Sequence, residues 1–396
     1  MKKFFLQDPK LLTYGFLIVF FASYGQTFFI SLFNIEIKSH YKLTNGQFGL
    51  IYSLATTLSS LILISFAKLI DFIDLRIYSL IISIGMSLGC LGVFYFYDNI
   101  FYLIFIIFLL RFFGQGAMSH AGETTMARYF GNNRGKAISV ATLGGMLGVM
   151  FLPLVVIKLF DFFNLNQLWL LASISILMFL PIMLFILKNQ KQRHSNFKLL
   201  ASKDSLNKRW RTRDILFDKK FFIYLPLSIA APFISTGLFF HQIVIFQHKE
   251  WTMNMLGTGY IFLGFFSIIG LIVGGPLIDK LNTRKTVITV LFPLFISVFI
   301  LLFFKSLFFQ ILYMSMLGLN LGISAPFLGA LWAELYGVES LGTVKALLHA
   351  GGVLASALSP FIFGYLFDWG FSVVAISLLS IFIIVFSTFL PIFKKI

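Results

Sequence analysis

The sequence predicts an all-α membrane protein with twelve transmembrane helices in two pseudo-symmetric six-helix halves. Of the 396 residues, 59% are apolar and only 12% are charged, whereas a soluble globular domain carries about 25% charged residues. The apolar residues form runs that are long enough to cross a bilayer as helices and too long for the strands of a membrane barrel. One basic segment separates six of these runs from the other six.

Each predicted span follows from helix geometry, because a hydrocarbon core of roughly 30 Å needs about 20 helical residues. The amino-terminal MKKFFLQDPK has the positive flank of a signal peptide, but no small-residue cleavage pattern ends the next run, so we expect a retained first helix. The single cysteine, Cys90, excludes a disulfide within the chain and is expected to be a packing residue. The predicted spans are 11–33, 47–69, 76–96, 100–126, 137–158, 167–187, 221–246, 256–278, 286–304, 308–332, 344–367 and 371–392.

The net charge of +16 is distributed as membrane topology requires. If the connecting segments alternate sides, most Lys and Arg fall on the side that holds both termini, and Arg111 lies within a span. By the positive-inside rule, that side is cytoplasmic. We therefore expect an integral protein of the plasma membrane, the inner membrane in a bacterium. The basic residues on the predicted outer side are Lys38, Lys42, Lys158, Lys249 and Lys305.

The polar segment 188–220 divides the chain into a first half, 1–187, and a second half, 221–396. Its cluster of basic residues around Trp210 could contact anionic lipid head groups as a cytoplasmic linker. Nucleic-acid binding is the alternative for such a cluster, but a solvated positive-inside loop explains the charge without it. The expected partners are therefore a small-molecule substrate and membrane lipid, without nucleic acid.

An internal repeat supports the two halves. The chain reads AKLIDFIDLR from Ala67 and GPLIDKLNTR from Gly275, so that in both copies an Asp stands five residues before an Arg. A second landmark repeats at nearly the same offset and is expected to serve helix packing and bending. Its residues are Gly144, Gly145 and Pro153 in the first half and Gly351, Gly352 and Pro360 in the second.

Two motifs resemble signatures of the major facilitator superfamily. GPLIDKLNTR is similar to its Gly-x-x-x-Asp-Arg/Lys-x-x-x-Arg loop, whereas the first copy departs from that loop at Ala67, Phe72 and Asp74. RFFGQG, from Arg111, is similar to its Arg-x-x-x-Gln-Gly signature. The resemblance implies the twelve-helix fold of secondary transporters that work by alternating access.

The loop charges have a role that the resemblance implies. They would stabilise the outward-open state by closing the cytoplasmic side. The alternative is that they only fix topology, as charges of short loops do. The residues concerned are Asp71, Arg76, Asp279, Lys280 and Arg284.

Arg111 lies near the middle of the fourth predicted span, where an ionisable residue marks a functional site by default. Gln115 follows on the same helical face, and the neighbouring glycines Gly114 and Gly116 leave space beside it. Arg111 could attract an anionic substrate or take part in proton coupling. It could equally be a buried arginine held by carbonyls and polar neighbours.

Several other polar residues are candidates for contact with a substrate or a coupling ion. A histidine can titrate near neutral pH, so His241 could couple protons, or it could be inert at the interface. Each of the others could also simply bond to a neighbouring helix. They are Gln242, Tyr24, Gln26 and Asn320.

The sequence therefore predicts secondary transport of a small organic solute, with a proton-coupled, monocarboxylate-like organic anion favoured by Arg111. Efflux of drugs or metabolites is the alternative within this class, and a non-transporting membrane sensor with a transporter fold is the alternative outside it. The sequence contains no phosphate-binding loop for ATP and no constellation typical of an enzyme. We expect no catalytic residue, metal or cofactor, and a monomer.

Overall fold

A computed structural model describes residues 2–95, 97–191, 193, 212–279, 283–337 and 341–393. All regular secondary structure in these ranges is helical, which confirms the all-α class. After a first turn at Lys2–Phe5, the helices of the first part of the chain are α1 Pro9–Phe21, α2 Thr27–Ile30, α3 Asn34–Tyr41, α4 Asn45–Phe66, α5 Leu75–Tyr95, α6 Ile100–Leu109, α7 Ser119–Tyr129, α8 Arg134–Leu159 and α9 Leu165–Ile186. Those of the second part are α10 Thr212–Leu216, α11 Lys219–Phe240, α12 Gln242–His248, α13 Met253–Asp279, α14 Thr283–Val290, α15 Phe292–Phe303, α16 Leu307–Tyr336, α17 Leu341–Asp368 and α18 Val373–Phe393.

The described helices account for nearly all the predicted spans. Ten are long and apolar enough to cross a membrane, and the bent pair Pro9–Gly25 and Thr27–Tyr41 passes the same test as one broken span. The predicted span 286–304 instead lies on two shorter helices, α14 and α15. Pro293 explains this break, because proline lacks an N–H and suits the first turn of a new helix. The described residues therefore give ten or eleven spans, and the count of twelve is not confirmed.

The described chain forms two compact units. Unit 1 comprises Met1–Lys42 and Leu54–Ser205, and unit 2 comprises Leu43–Ser53 and Leu206–Ile396. The first turns of α4 therefore group with unit 2, whereas the rest of that helix groups with unit 1. The predicted division at 188–220 stays a prediction, and residues 192 and 194–211 of that segment lie outside the described part.

Close helix packing forms the interior of unit 1. α1 lies along α8, and α5 lies along α9, where the Ser87 and Ser173 hydroxyls are 2.7 Å apart. A Cβ atom added to Gly144 of α8 would lie only 2.0 Å from the Phe16 carbonyl oxygen, so glycine is required there. Cys90 of α5 is buried in the same interior.

Unit 2 is built from similar helix pairs. α11 lies along α17, and α13 lies along α16. The Ser267 hydroxyl of α13 donates a hydrogen bond to the Gly318 carbonyl of α16, at 3.0 Å. Gly351 and Gly352 of α17 are less tightly packed than Gly144, because a Cβ atom on either would make only ordinary contacts, at 3.5 Å or more, with α11 side chains.

Substituting Gly144 by Ala is expected to lower the thermal unfolding temperature, because the Phe16 carbonyl is backbone and cannot move aside. Overpacking of this kind typically costs about 1–3 kcal/mol. Gly135→Ala, on the same helix, is the control, because nothing lies within 4 Å of its Cβ position. Unfolding in detergent micelles measures both variants, and equal temperatures would contradict the packing described here.

Candidate functional site

The first span is interrupted in its middle. α1 is followed by a 3₁₀ turn at Ala22–Gly25, and Gln26 then adopts an extended conformation with φ −83° and ψ 153°. α2 begins at Thr27, and the two parts of the span differ in direction by 45°. Such a break removes backbone carbonyls from the regular hydrogen-bond ladder, and at membrane depth they must find other donors.

Arg111 supplies one of these donors. Its Nη1 donates a hydrogen bond to the Gly25 carbonyl, at 2.9 Å, and its Nε donates to the Thr56 hydroxyl of α4, at 3.2 Å. The Arg111 side chain is 1% exposed, so these bonds form in a medium of low dielectric constant. One guanidinium therefore ties the break to α4 and to the fourth span.

The backbone around Arg111 is also irregular. Residues Leu110–Met118 form a π-helix between α6 and α7, and such segments occur frequently at functional sites. A Cβ atom on Gly25 would lie 2.1 Å from the Leu110 carbonyl oxygen, so glycine is required for this approach. We call the break, the π-helix and Arg111 the joint of unit 1.

The structure places four predicted site residues at this joint, and one of them is Arg111 itself. Tyr24 and Gln26 flank Gly25, the residue whose carbonyl Arg111 binds. The Tyr24 hydroxyl also lies 3.0 Å from the Ser175 hydroxyl of α9. Gln115, the fourth candidate in unit 1, is half-buried on the π-helix.

Further along the fourth span, His120 is within 3.4 Å of the Thr124 hydroxyl, and Glu123 is exposed. Both residues lie on α7, beyond the π-helix that carries Arg111. The described hydrogen bonds of Arg111 include neither of them.

The candidates in unit 2 are buried and bonded to its interior. His241 Nε2 lies 2.9 Å from the Pro360 carbonyl, and this nitrogen must carry the proton because a carbonyl only accepts. The Gln242 amide oxygen accepts a hydrogen bond from the Tyr260 hydroxyl. Asn320 donates to the Val290 carbonyl at 2.8 Å. The structure thus holds these residues in different helix contacts and does not bring them to one described site.

The repeated motif places Asp71 five residues before Arg76, but in the structure each of these residues forms an ion pair with a different partner. Asp71 pairs with Arg128, which also donates to the Ile70 carbonyl at 3.1 Å. Arg76 binds Asp74 through two nitrogen–oxygen contacts, at 3.1 and 2.8 Å. These bonds to Arg76 lower the pKa of the Asp74 carboxyl below its usual value. In the second copy, Lys280 and the side chains of Asp279 and Arg284 lie outside the described residues.

A comparison with family models establishes the class of protein. The model described as Major Facilitator Superfamily matches residues 15–304 and 243–394. The chain belongs to the major facilitator superfamily. Its membership confirms the resemblance of the two sequence motifs and makes the protein an integral membrane protein of the secondary-transporter class. No curated protein matches the chain.

The superfamily signature that begins at Arg111 therefore lies on a π-helix rather than on a regular α-helix. Sequence reasoning predicted Arg111, Gln115, Tyr24 and Gln26, which stay predictions as site residues, but it missed Gly25 and Thr56, because a backbone acceptor and one threonine among several carry no distinct signal. It also missed Arg128 as the partner of Asp71. An arginine near the end of a predicted span could have indicated that pair.

Thr56→Val is expected to destabilise the protein by about 1–3 kcal/mol, because it removes a hydrogen-bond acceptor from a buried guanidinium without changing the side-chain shape. Thr57→Val is the matched control, since Thr57 is the next residue of α4 and is only half-buried. Thermal unfolding of both variants in detergent measures the difference. The importance of this contact would be refuted if the two substitutions destabilised the protein equally.

Proposed function

We propose that this superfamily member moves a small organic anion of the monocarboxylate type together with a proton, by alternating access. The observation that supports this proposal is the joint of unit 1, where the buried guanidinium of Arg111 meets a break in the first span. Broken helices occur at membrane depth where they line a cavity or are covered by protein. In many transporters such breaks form the substrate site.

The described hydrogen bonds of Arg111 allow an exchange of acceptors. The Gly25 carbonyl and the Thr56 hydroxyl are neutral acceptors, whereas a carboxylate adds a full opposite charge and can accept two parallel N–H bonds from a guanidinium. A carboxylate that reaches the joint would therefore replace the carbonyl. Tyr24 and Gln26, which flank Gly25, would move with the displaced backbone, so binding would be coupled to a change in the first span.

Proton coupling follows from the charge of such a solute. A carboxylate that crosses with one proton adds no net charge to the membrane-spanning region, where an added charge is costly. In this proposal the protein occupies the plasma membrane with both termini in the cytoplasm, as the distribution of Lys and Arg predicts.

Transport by the purified protein in lipid vesicles tests this proposal. Each short monocarboxylate is compared with the amide of the same carbon skeleton, with and without an imposed pH gradient. We expect carboxylate uptake that is stimulated by external acid, and little uptake of the amide. Gradient-driven extrusion of apolar cations would favour drug efflux, and binding without movement would favour a sensor. Insensitivity of carboxylate uptake to every ion gradient would refute coupling.

Arg111→Ala is expected to reduce carboxylate uptake by about tenfold or more while the protein still inserts, because a charge-assisted hydrogen bond contributes about 1.5–3 kcal/mol. Arg111→Lys should retain part of the uptake, since the charge remains but the planar fork is lost. Uptake and membrane insertion are measured on the same vesicle preparations.

Two control variants separate charge from stability in this experiment. Lys158→Ala removes an exposed cation on the predicted outer side and should leave uptake unchanged. Thr56→Val perturbs the same contact without removing the charge. Equal loss of uptake in Thr56→Val and Arg111→Ala would show that Arg111 acts only by supporting the fold.

A further inference from the structure

The segment 188–220 begins with a short turn that folds back onto unit 1. Gln190 is 2% exposed, and its side-chain amide donates a hydrogen bond to the Tyr129 hydroxyl of α7 at 2.8 Å. The Arg193 N–H donates to the Asn189 carbonyl at 3.2 Å, which is the spacing of one helical turn. The turn is thus attached to the helices of unit 1, and it determines where the Arg193 side chain begins.

Arg193 joins the beginning of α1 to the end of α9. Its Nε donates a hydrogen bond to Asp8 Oδ2 at 2.6 Å, and its Nη2 donates to Asp8 Oδ1 at 3.0 Å. Such a bidentate bond between a guanidinium and a carboxylate is strong and fixes the geometry of both groups. The Arg193 Nη1 donates to the carbonyl of Ile186, the last residue of α9, at 3.4 Å. We call Asp8, Ile186 and Arg193 the clamp of unit 1.

The clamp acts on the residue that starts the first span. Asp8 is the N-cap of α1, because its Oδ1 also accepts a hydrogen bond from the Leu11 amide at 3.0 Å. The Lys10 ammonium lies 5.1 Å from the centre of the Phe185 ring near the end of α9, which is a cation–π distance. A displacement of α1 along its axis would have to break these contacts.

α1 and α9 also meet at the other end of α1, beside the joint. The Phe21 and Phe179 rings stack with their centroids 4.8 Å apart. The Tyr24 and Ser175 hydroxyls follow in the 3₁₀ turn, 3.0 Å apart. The 13 residues of α1 span about 20 Å as a helix. The clamp and the joint therefore lie at opposite ends of one helix that is braced against α9.

We propose that Arg193 is a positioning residue for the joint, which fixes α1 along its axis and thereby holds the Gly25 carbonyl within reach of Arg111. Packing along the side of a helix, such as that of α1 against α8, permits small sliding movements. A bidentate bond at the end of the helix opposes them. In this way the turn after α9 sets how firmly the first span is held at the joint.

The proposal also concerns the solute, and there it rests on the function proposed above. In that function, an arriving carboxylate replaces the Gly25 carbonyl as an acceptor for Arg111, and the backbone of the first span moves. A clamp that fixes α1 opposes this movement. Arg193 therefore lowers the affinity of the proposed site for carboxylates from the opposite end of α1.

Hydrogen–deuterium exchange of the full chain in lipid nanodiscs, without any solute, tests the position of the joint. The readout is the exchange rate of the backbone amides of Ala22–Gln26, measured by mass spectrometry. Arg193→Gln is expected to accelerate this exchange about three- to fivefold, because the break opens more often when α1 is free to slide. The effect is modest because the ion pair is partly exposed to solvent. Amides in the middle of α5 should keep their rate.

Four further variants separate the ion pair from the helix cap and from charge in general. Asp8→Asn keeps a side-chain oxygen for the Leu11 amide but removes the ion pair, so it should match Arg193→Gln. The double variant should exchange no faster than either single one, because both remove the same interaction. Arg193→Lys keeps the charge without the planar fork and should lie between. Lys188→Gln, which removes an exposed cation just after α9, is the control and should leave the rate unchanged.

Carboxylate uptake supplies a second readout. Arg193→Gln should lower the KM about two- to threefold, because binding no longer has to displace a clamped helix. A loss of folded protein would instead lower the maximal rate and leave the KM unchanged. The two parameters therefore distinguish a positioning role from support of the fold.

The positioning role is refuted if exchange at the break is unchanged in Arg193→Gln, if it rises equally throughout unit 1, or if Lys188→Gln has the same effect. An unchanged or higher KM in a transporting Arg193→Gln variant would also contradict it. If Arg193→Gln does not fold, Arg193→Lys is compared with Lys188→Gln, and equal exchange rates refute the role. Because exchange needs no solute, faster exchange at the break without uptake of any carboxylate would refute the proposed function and leave the role of Arg193 at the joint intact.

Discussion

The hydrogen bond from Arg111 to the Gly25 carbonyl is the contact on which the candidate site depends. At membrane depth, a guanidinium without acceptors and a broken helix without donors are each costly. The joint resolves both problems, because the break offers a carbonyl and Arg111 offers an N–H at 2.9 Å. Neither feature would be stable alone, so the bend of the first span and the position of Arg111 are set together.

Glycine makes this contact possible. Gly25 lies so close to the Leu110 carbonyl that a side chain would collide with it, and the π-helix places Arg111 and Gly114 on the same segment. A similar principle operates at the beginning of α4, where Gly46 and Gly49 allow α17 to approach and Asp368 caps the free amides. In both places, backbone groups that leave a regular helix are satisfied by a charged side chain from another helix.

The sequence predicted what depends on composition and periodicity. Hydropathy located the helices, because lipid requires long apolar runs, and the family motifs located Arg111. The interruption at Pro293 was missed, since apolar residues surround it and the hydropathy of span 286–304 stays high. The partners of Arg111 could not be predicted, because a bond to the Gly25 carbonyl depends on how helices far apart in sequence pack together.

The groups that accept hydrogen bonds from a buried arginine also affect how easily a transporter can change from one conformational state to another. A buried pair of opposite charges is costly to separate, because each partner is left without compensation. A guanidinium that donates to a carbonyl and a hydroxyl makes hydrogen bonds that each contribute about 1.5–3 kcal/mol, which is less than the roughly 3–5 kcal/mol lost when a buried ion pair is broken. Such bonds can be exchanged for those of an arriving carboxylate. The two described acceptors of Arg111, the Gly25 carbonyl and the Thr56 hydroxyl, are both neutral and therefore suit the proposed site, which must bind a solute and later release it.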